Sequence, residues 1–164
     1  MIIYLLRHAI AVEHGTVADP HDARPLTDDG KEKMAQAAKG IAKLVGSIDI
    51  IVTSPLVRAL DTAKIVAKAL GSDTKIEVCR SLAPGGVLKN TLLHLTKFKG
   101  LSSMMIVGHQ PDLGYLASTF LGSDPSIIEF KKGALCAIEI AGLSSREKGK
   151  LLWHLQPKHL RAIA

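Results

Sequence analysis

Four short apolar runs constrain what this chain can fold into: Ile2–Leu6, Asp49–Thr53, Lys75–Cys79 and Met104–Val107. Each is too short for a buried helix, is rich in Ile, Val, Leu or Met, and is bounded by turn signals, so each reads as a strand. Helical patterns fill the intervals. Thr27 is placed to cap a helix with Asp28 and Asp29 in its first turn; Ala35, Ala38, Ile41, Ala42 and Val45 share its inner face, and Gly46 stops it. Ser54 and Pro55 are placed to cap and open a second helix, with Leu56, Leu60, Ala63, Ala67 and Leu70 inward and Gly71 at its end. A Pro84-Gly85-Gly86 turn leads to a short helix near Leu88 to Phe98, and Pro111 opens another with Leu113, Leu116, Ala117 and Phe120 inward. Gly133–Ala141 and Lys150–Leu155 read as a closing hairpin around a polar GLSSREKG turn. Strand alternating with helix implies parallel crossovers, and hence a three-layer α/β sandwich with a mostly parallel sheet.

The composition agrees with a sheet covered on both faces. Of the 164 residues 47% are hydrophobic but only 4% aromatic, so the core is to be made of Leu, Ile, Val and Ala. That length suits one domain, residues 1–164. No stretch approaches the length of a membrane span, and MIIYLL runs into Arg7-His8 rather than a cleavage site, so the expected setting is soluble and cytoplasmic. Cys79 and Cys136 lack metal-ligand spacing and read as small buried hydrophobes. The net charge of +6 is spread over helices without an aromatic-interleaved basic stripe, which argues against nucleic acid but would draw an anionic substrate.

Chemistry-bearing residues recur where the strands end. Arg7-His8 follows the first run, Arg58 comes just after DIIVTSP, and His109 follows MMIVG. In open α/β sheets ligands collect beyond the carboxyl ends of the strands, so these four side chains are expected to meet in one crevice. Two arginines offer planar, permanently charged forks for phosphate oxygens, and Arg58 falls in the first turn of a helix whose N–H groups also favour anions. Taken alone, Arg58 would better suit a solvent-facing helix position; within TSPLVRA the phosphate reading is favoured. Either histidine could be a nucleophile; arginines nearby would keep its imidazole neutral and reactive. A metal site at His8 and His109 lacks a third strand-end ligand, and no cofactor is expected. The polar segment from Glu13 to Pro25 is a long loop beside the site, of the kind more often functional than idle. His14, His21, His94, His154 and His159 have surface or packing placements.

These residues lie in longer stretches that resemble the histidine phosphatase superfamily, whose fold is phosphoglycerate mutase-like, and within it the SixA-type phosphohistidine phosphatases. The stretches are LLRHA at Leu5–Ala9, RPLTDDG at Arg24–Gly30, TSPLVRALDTA at Thr53–Ala63, VGHQPDLGYL at Val107–Leu116 and WHLQP at Trp153–Pro157. The resemblance implies that His8 attacks phosphorus and is transiently phosphorylated, that Arg7 and Arg58 bind the phosphoryl oxygens, and that His109 hydrogen-bonds the transition state. Ala9 departs mildly from the superfamily's usual glycine. Arg24 resembles the arginine of the RPLT segment in SixA-like proteins, where it would reach the phosphate or the partner; it would equally suit pinning the loop through Asp28.

Other members place a carboxyl acid after the third strand or directly after the second histidine, and here those places hold Arg80-Ser81-Leu82 and Gln110. An alkoxide departing without an acid would leave slowly, whereas the labile P–N bond of a phosphoramidate tolerates that lack. Phosphohistidine on a protein partner, for instance a histidine phosphotransfer domain, is therefore the expected substrate. Glu13, Asp19 and Asp22 are alternative acids, and with one of them a phosphatase for small phosphate esters would result. A phosphate-binding module without turnover is the non-enzymatic alternative, disfavoured by the intact nucleophile.

Overall fold

The computed structural model describes residues 1–13, 23–71, 74–123, 128–143 and 147–164. Strands β1 (Ile2–Arg7), β2 (Ile50–Thr53), β3 (Lys75–Val78), β4 (Ser103–Gly108), β5 (Leu135–Glu139) and β6 (Lys150–Leu155) form one sheet in the order β3-β2-β4-β1-β5-β6. The pairings among β3, β2, β4 and β1 are parallel, and β5 runs antiparallel to both β1 and β6. The sheet is mostly parallel, as expected from the alternation of strand and helix.

Helices α1 (Asp28–Val45), α2 (Val57–Leu70) and α5 (Pro157–Ile163) cover one face, and α3 (Leu88–Leu95) and α4 (Asp112–Leu121) the other. Because side chains alternate along a strand, β1 feeds both layers: Tyr4 and Leu6 pack towards α1 and α2, Ile3 and Leu5 towards α4. Fully burying each such aliphatic chain contributes about 1.5–3 kcal/mol. Thr27 caps α1 by accepting from Gly30 N–H, and Gly46, at a φ of 67°, ends it.

Helix α5 follows the closing hairpin and was not foreseen in the sequence. It packs on α1 so closely that a Cβ at Gly40 would lie 1.9 Å from the Leu160 carbonyl oxygen, which is why α1 carries glycine in mid-helix. This contact turns the buried face of α1 to Met34, Ala37, Ala38, Gly40 and Ile41, away from the expected Ala35 and Val45. Helix α2 is rotated likewise, burying Arg58, Ala59, Thr62, Ala63, Val66 and Ala67 while Leu56, Leu60 and Leu70 are only partly covered. In α4 the expected residues Leu113, Leu116, Ala117 and Phe120 are all inside. Both cysteines are buried and free, with Cys79 just past the end of β3.

Candidate active site

Register brings the site together. Leu6, Val107 and Thr53 stand level across β1, β4 and β2, and Arg7 pairs with Gly108 one step further. Beyond them the chain leaves the sheet at His8 and His109, on adjacent parallel strands spaced about 4.8 Å apart. Their ring centroids are 5.0 Å apart and tilted by 53°. Ser54, which follows β2, is tied to the same row by its N–H donating to the Val107 carbonyl at 2.9 Å.

The strand ends open into a cleft of about 480 Å³ lined by Arg7, His8, Arg24, Arg58 and His109. All five residues singled out in the sequence border it. His8, Arg58 and His109 form a buried floor, at 6%, 3% and 3% exposure. Arg58 is thus no solvent-facing helix residue. Ala11, Pro84, Gln110 and Lys132 complete the wall, and among these described lining residues there is no aspartate or glutamate.

Each floor residue is positioned by a bond to backbone or to a small polar side chain. The Nδ1 of His8 lies 2.7 Å from the carbonyl oxygen of Ala9. A carbonyl can only accept, so Nδ1 carries the proton, and in the neutral ring Nε2 keeps its lone pair. Burial first, then the charges of Arg58, Arg7 and Lys132, push the His8 pKa down to about 4, outweighing the opposing bond to Ala9. The ring is therefore neutral through the physiological range. Ala9 N–H donates to Thr62 Oγ1 at 3.0 Å, and Thr62 Oγ1 donates to the Arg58 carbonyl at 2.7 Å, so one threonine joins the loop after β1 to the first turn of α2. Arg7 Nη1 donates to the Phe130 carbonyl at 2.6 Å, which fixes the fork beside His8.

The expectation that Ser54 caps α2 is corrected. The helix starts at Val57 with Leu56 at its cap position and no side-chain capping bond. Ser54 Oγ instead lies 2.7 Å from His109 Nε2 and accepts from Leu56 N–H at 3.3 Å, so it orients the second histidine. The reason is geometric: pairing with β4 places the serine over the strand end rather than over the helix axis. Arg24 reaches the Val12 carbonyl at 3.3 Å, so it braces its own loop while bordering the cleft. Ser54, Thr62 and Lys132 were missed as site residues. The first two lie within TSPLVRALDTA, where two small hydroxyls beside Arg58 were the available signal; Lys132 had none.

Of the alternative acids, Asp19 and Asp22 lie outside the described residues, as do His14 and His21, and Glu13 is not among the residues lining the cleft. Among the described residues no three His, Cys, Asp or Glu side chains group as a metal site would require. None of the helices among them is long and apolar enough to cross a membrane.

Two histidines and two arginines at the ends of three parallel strands define a class. The profile of the histidine phosphatase superfamily (branch 1) matches residues 3–83. The chain belongs to the histidine phosphatase superfamily. Within it the chain is similar to SixA-type proteins. It is 26% identical to phosphohistidine phosphatase SixA of Escherichia coli, over 98% of this chain and 97% of that protein. An uncharacterized protein of Picosynechococcus is 32% identical, with 98% and 99% of the two chains covered. In fold the chain is similar to the protein histidine phosphatase SixA solved with tungstate, at a TM-score of 0.83 and 23% identity, covering 98% of this chain and 99% of that one. The similarity supports phosphatase activity.

Proposed function

We propose that residues 1–164 act as one histidine phosphatase domain that hydrolyses phosphohistidine on a protein partner in the cytoplasm, without a metal ion. The observation that carries this reading is His8 itself. It is a buried imidazole with Nδ1 on the Ala9 carbonyl and a pKa near 4, set among Arg7, Arg58 and His109 in a cleft whose described lining includes no carboxylate.

In this reading His8 Nε2 attacks phosphorus in line with the departing group, Arg7 and Arg58 hold the equatorial oxygens, and His109, oriented by Ser54, donates to one of them. Water then cleaves phospho-His8. The cationic side chains stabilise the charge that a metal would otherwise meet. Arg24 borders the mouth, where it would contact the phosphate or the partner. Two features favour a phosphoramidate over an alkyl ester: the lack of a carboxyl acid among the described lining residues, and the lability of the P–N bond.

The test is to assay the protein in EDTA on a phosphohistidine-bearing protein and on a panel of phosphate esters. Turnover of phosphohistidine and of aryl phosphates is expected, with alkyl esters such as phosphoserine slower by about 100-fold or more. Equal kcat/KM on alkyl and aryl esters would replace this reading with a small-ester phosphatase, and activity lost to EDTA but restored by a divalent ion would refute metal independence.

A further inference from the structure

Lys132 enters the cleft from a part of the chain remote from every other site residue. It lies on the turn before β5, and that turn is held against the nucleophile's strand: Gly133 N–H is shared between the carbonyls of Arg7 and His8, at 3.1 Å each. Gly133 has a φ of 81°, and Ala134 N–H closes the turn on the Lys131 carbonyl at 2.8 Å. The backbone at Lys132 is thereby fixed relative to His8, while its side chain is exposed and borders the cleft. Its charge is also felt at the His8 ring.

In-line transfer puts the departing group on the side of phosphorus away from His8 Nε2. With His8 on the buried floor, that side is the mouth, where Lys132 and Arg24 stand. An arginine holds its proton at any working pH, and a glutamine side chain has no acidic proton to give. An ammonium does have one. We propose that Lys132 is the proton donor to the departing nitrogen of phosphohistidine, a catalytic residue additional to the two histidines and two arginines. This rests on the phosphatase reading above and deepens it.

The step balances. As the P–N bond breaks, its electron pair goes to the substrate imidazole nitrogen, which takes a proton from the Lys132 ammonium, while His8 Nε2 bonds phosphorus. In the second half, water adds to phosphorus and its protons stay on the departing phosphate, while the Lys132 amine regains its proton from solvent. The His8–P bond breaks, its pair returns to Nε2, and inorganic phosphate leaves. An ammonium is a weaker acid than a carboxyl by about six units, so it helps only in part and selectivity for labile bonds persists.

The experiment compares wild type, Lys132→Met and Lys132→Arg on a phosphohistidine protein and on 2,4-dinitrophenyl phosphate, whose leaving group needs no proton. Both variants are expected to lose about 100-fold in kcat on phosphohistidine and less than about threefold on the aryl ester. Restoration by arginine would show that charge alone suffices and overturn proton donation. Equal losses on both substrates would make Lys132 a phosphate-binding cation, and no loss on phosphohistidine would exclude it; either overturns the inference while leaving the phosphatase reading intact. A wild type inactive on both substrates would sink the two together. Because Lys132 is exposed on a turn, both variants should fold, and unchanged thermal melting confirms this.

Discussion

The floor of the cleft and its rim are held by different means. On the floor, His8, Arg58 and His109 are almost wholly buried, and each histidine has a fixed partner: the Ala9 carbonyl for one, Ser54 for the other. The strands beneath them are locked in register over several residues. On the rim, Arg24 is half-buried on a loop and Lys132 is exposed on a turn. Buried, bonded groups cannot reorient without leaving polar atoms unsatisfied, so the floor is preorganised for one reaction. Rim side chains keep rotamer freedom and face whatever carries the phosphate. The lesson is a division of labour, with attack on phosphorus at the floor and handling of the departing group and its carrier at the rim.

Substitutions grade this division by the size of their effects. Replacing His8 with alanine should lower turnover by at least about four orders of magnitude, as loss of a covalent nucleophile does. Tungstate binding should persist, because Arg7 and Arg58 supply the anion attraction. Near-normal turnover in His8→Ala, with no phosphoenzyme trapped on wild type, would remove the floor's central role. Arg58→Ala should cost about 100- to 1,000-fold in rate and weaken tungstate as well, since the guanidinium serves both ground and transition states. Calorimetric titration alongside kinetics separates the two variants.

The pH dependence should also belong to the floor. A histidine whose pKa falls from 6.5 unfolded to about 4 folded keeps its lone pair at pH 5, so the acidic limb of kcat/KM should lie near pH 4. The unfolded chain binds the extra proton first, so stability declines as pH falls from 6.5 to about 4 and levels off below; the loss is roughly 3 kcal/mol from this one group. Denaturant titrations of wild type and His8→Asn across that window would show it as the part of the slope that the variant loses, with His94 and His154, also lowered by burial, contributing to both.

Ser54→Ala should reduce kcat about tenfold by freeing the His109 ring, with KM little changed, consistent with about 1–3 kcal/mol for a buried group left unsatisfied. Arg24→Ala should have the smallest effect, a rise in KM of about threefold, as for a half-exposed charge contact at the rim. If Arg24 outweighed Ser54 in kcat, the loop side of the rim would be acting on phosphorus and the contrast would fail.

Much of the floor was legible in the sequence because each of its members follows a strand that announces itself. Arg7-His8, Arg58 and His109 could be placed from local patterns, since an apolar run followed by a turn fixes where a strand ends whatever lies beside it. The same locality explains α4, whose inner face was read correctly. Ser54 shows where such reading stops. The spacing before a proline suited a helix cap, and only the pairing of β2 with β4 shows the hydroxyl turned to His109.

The sequence by itself determined the strand ends, the charged and nucleophilic groups attached to them, the mostly parallel sheet and the superfamily. Tertiary structure alone decided the order β2-β4-β1 that sets three strand ends side by side, the rotation of α1 towards α5, and the arrival of Lys132 from the turn before β5. The physical reason is range. Strand and helix signals come from neighbours a few residues apart, whereas these features come from contacts such as Thr53 beside Val107 and Gly133 to Arg7 and His8, between segments more than fifty residues apart in the chain, which exist only once the sheet has closed.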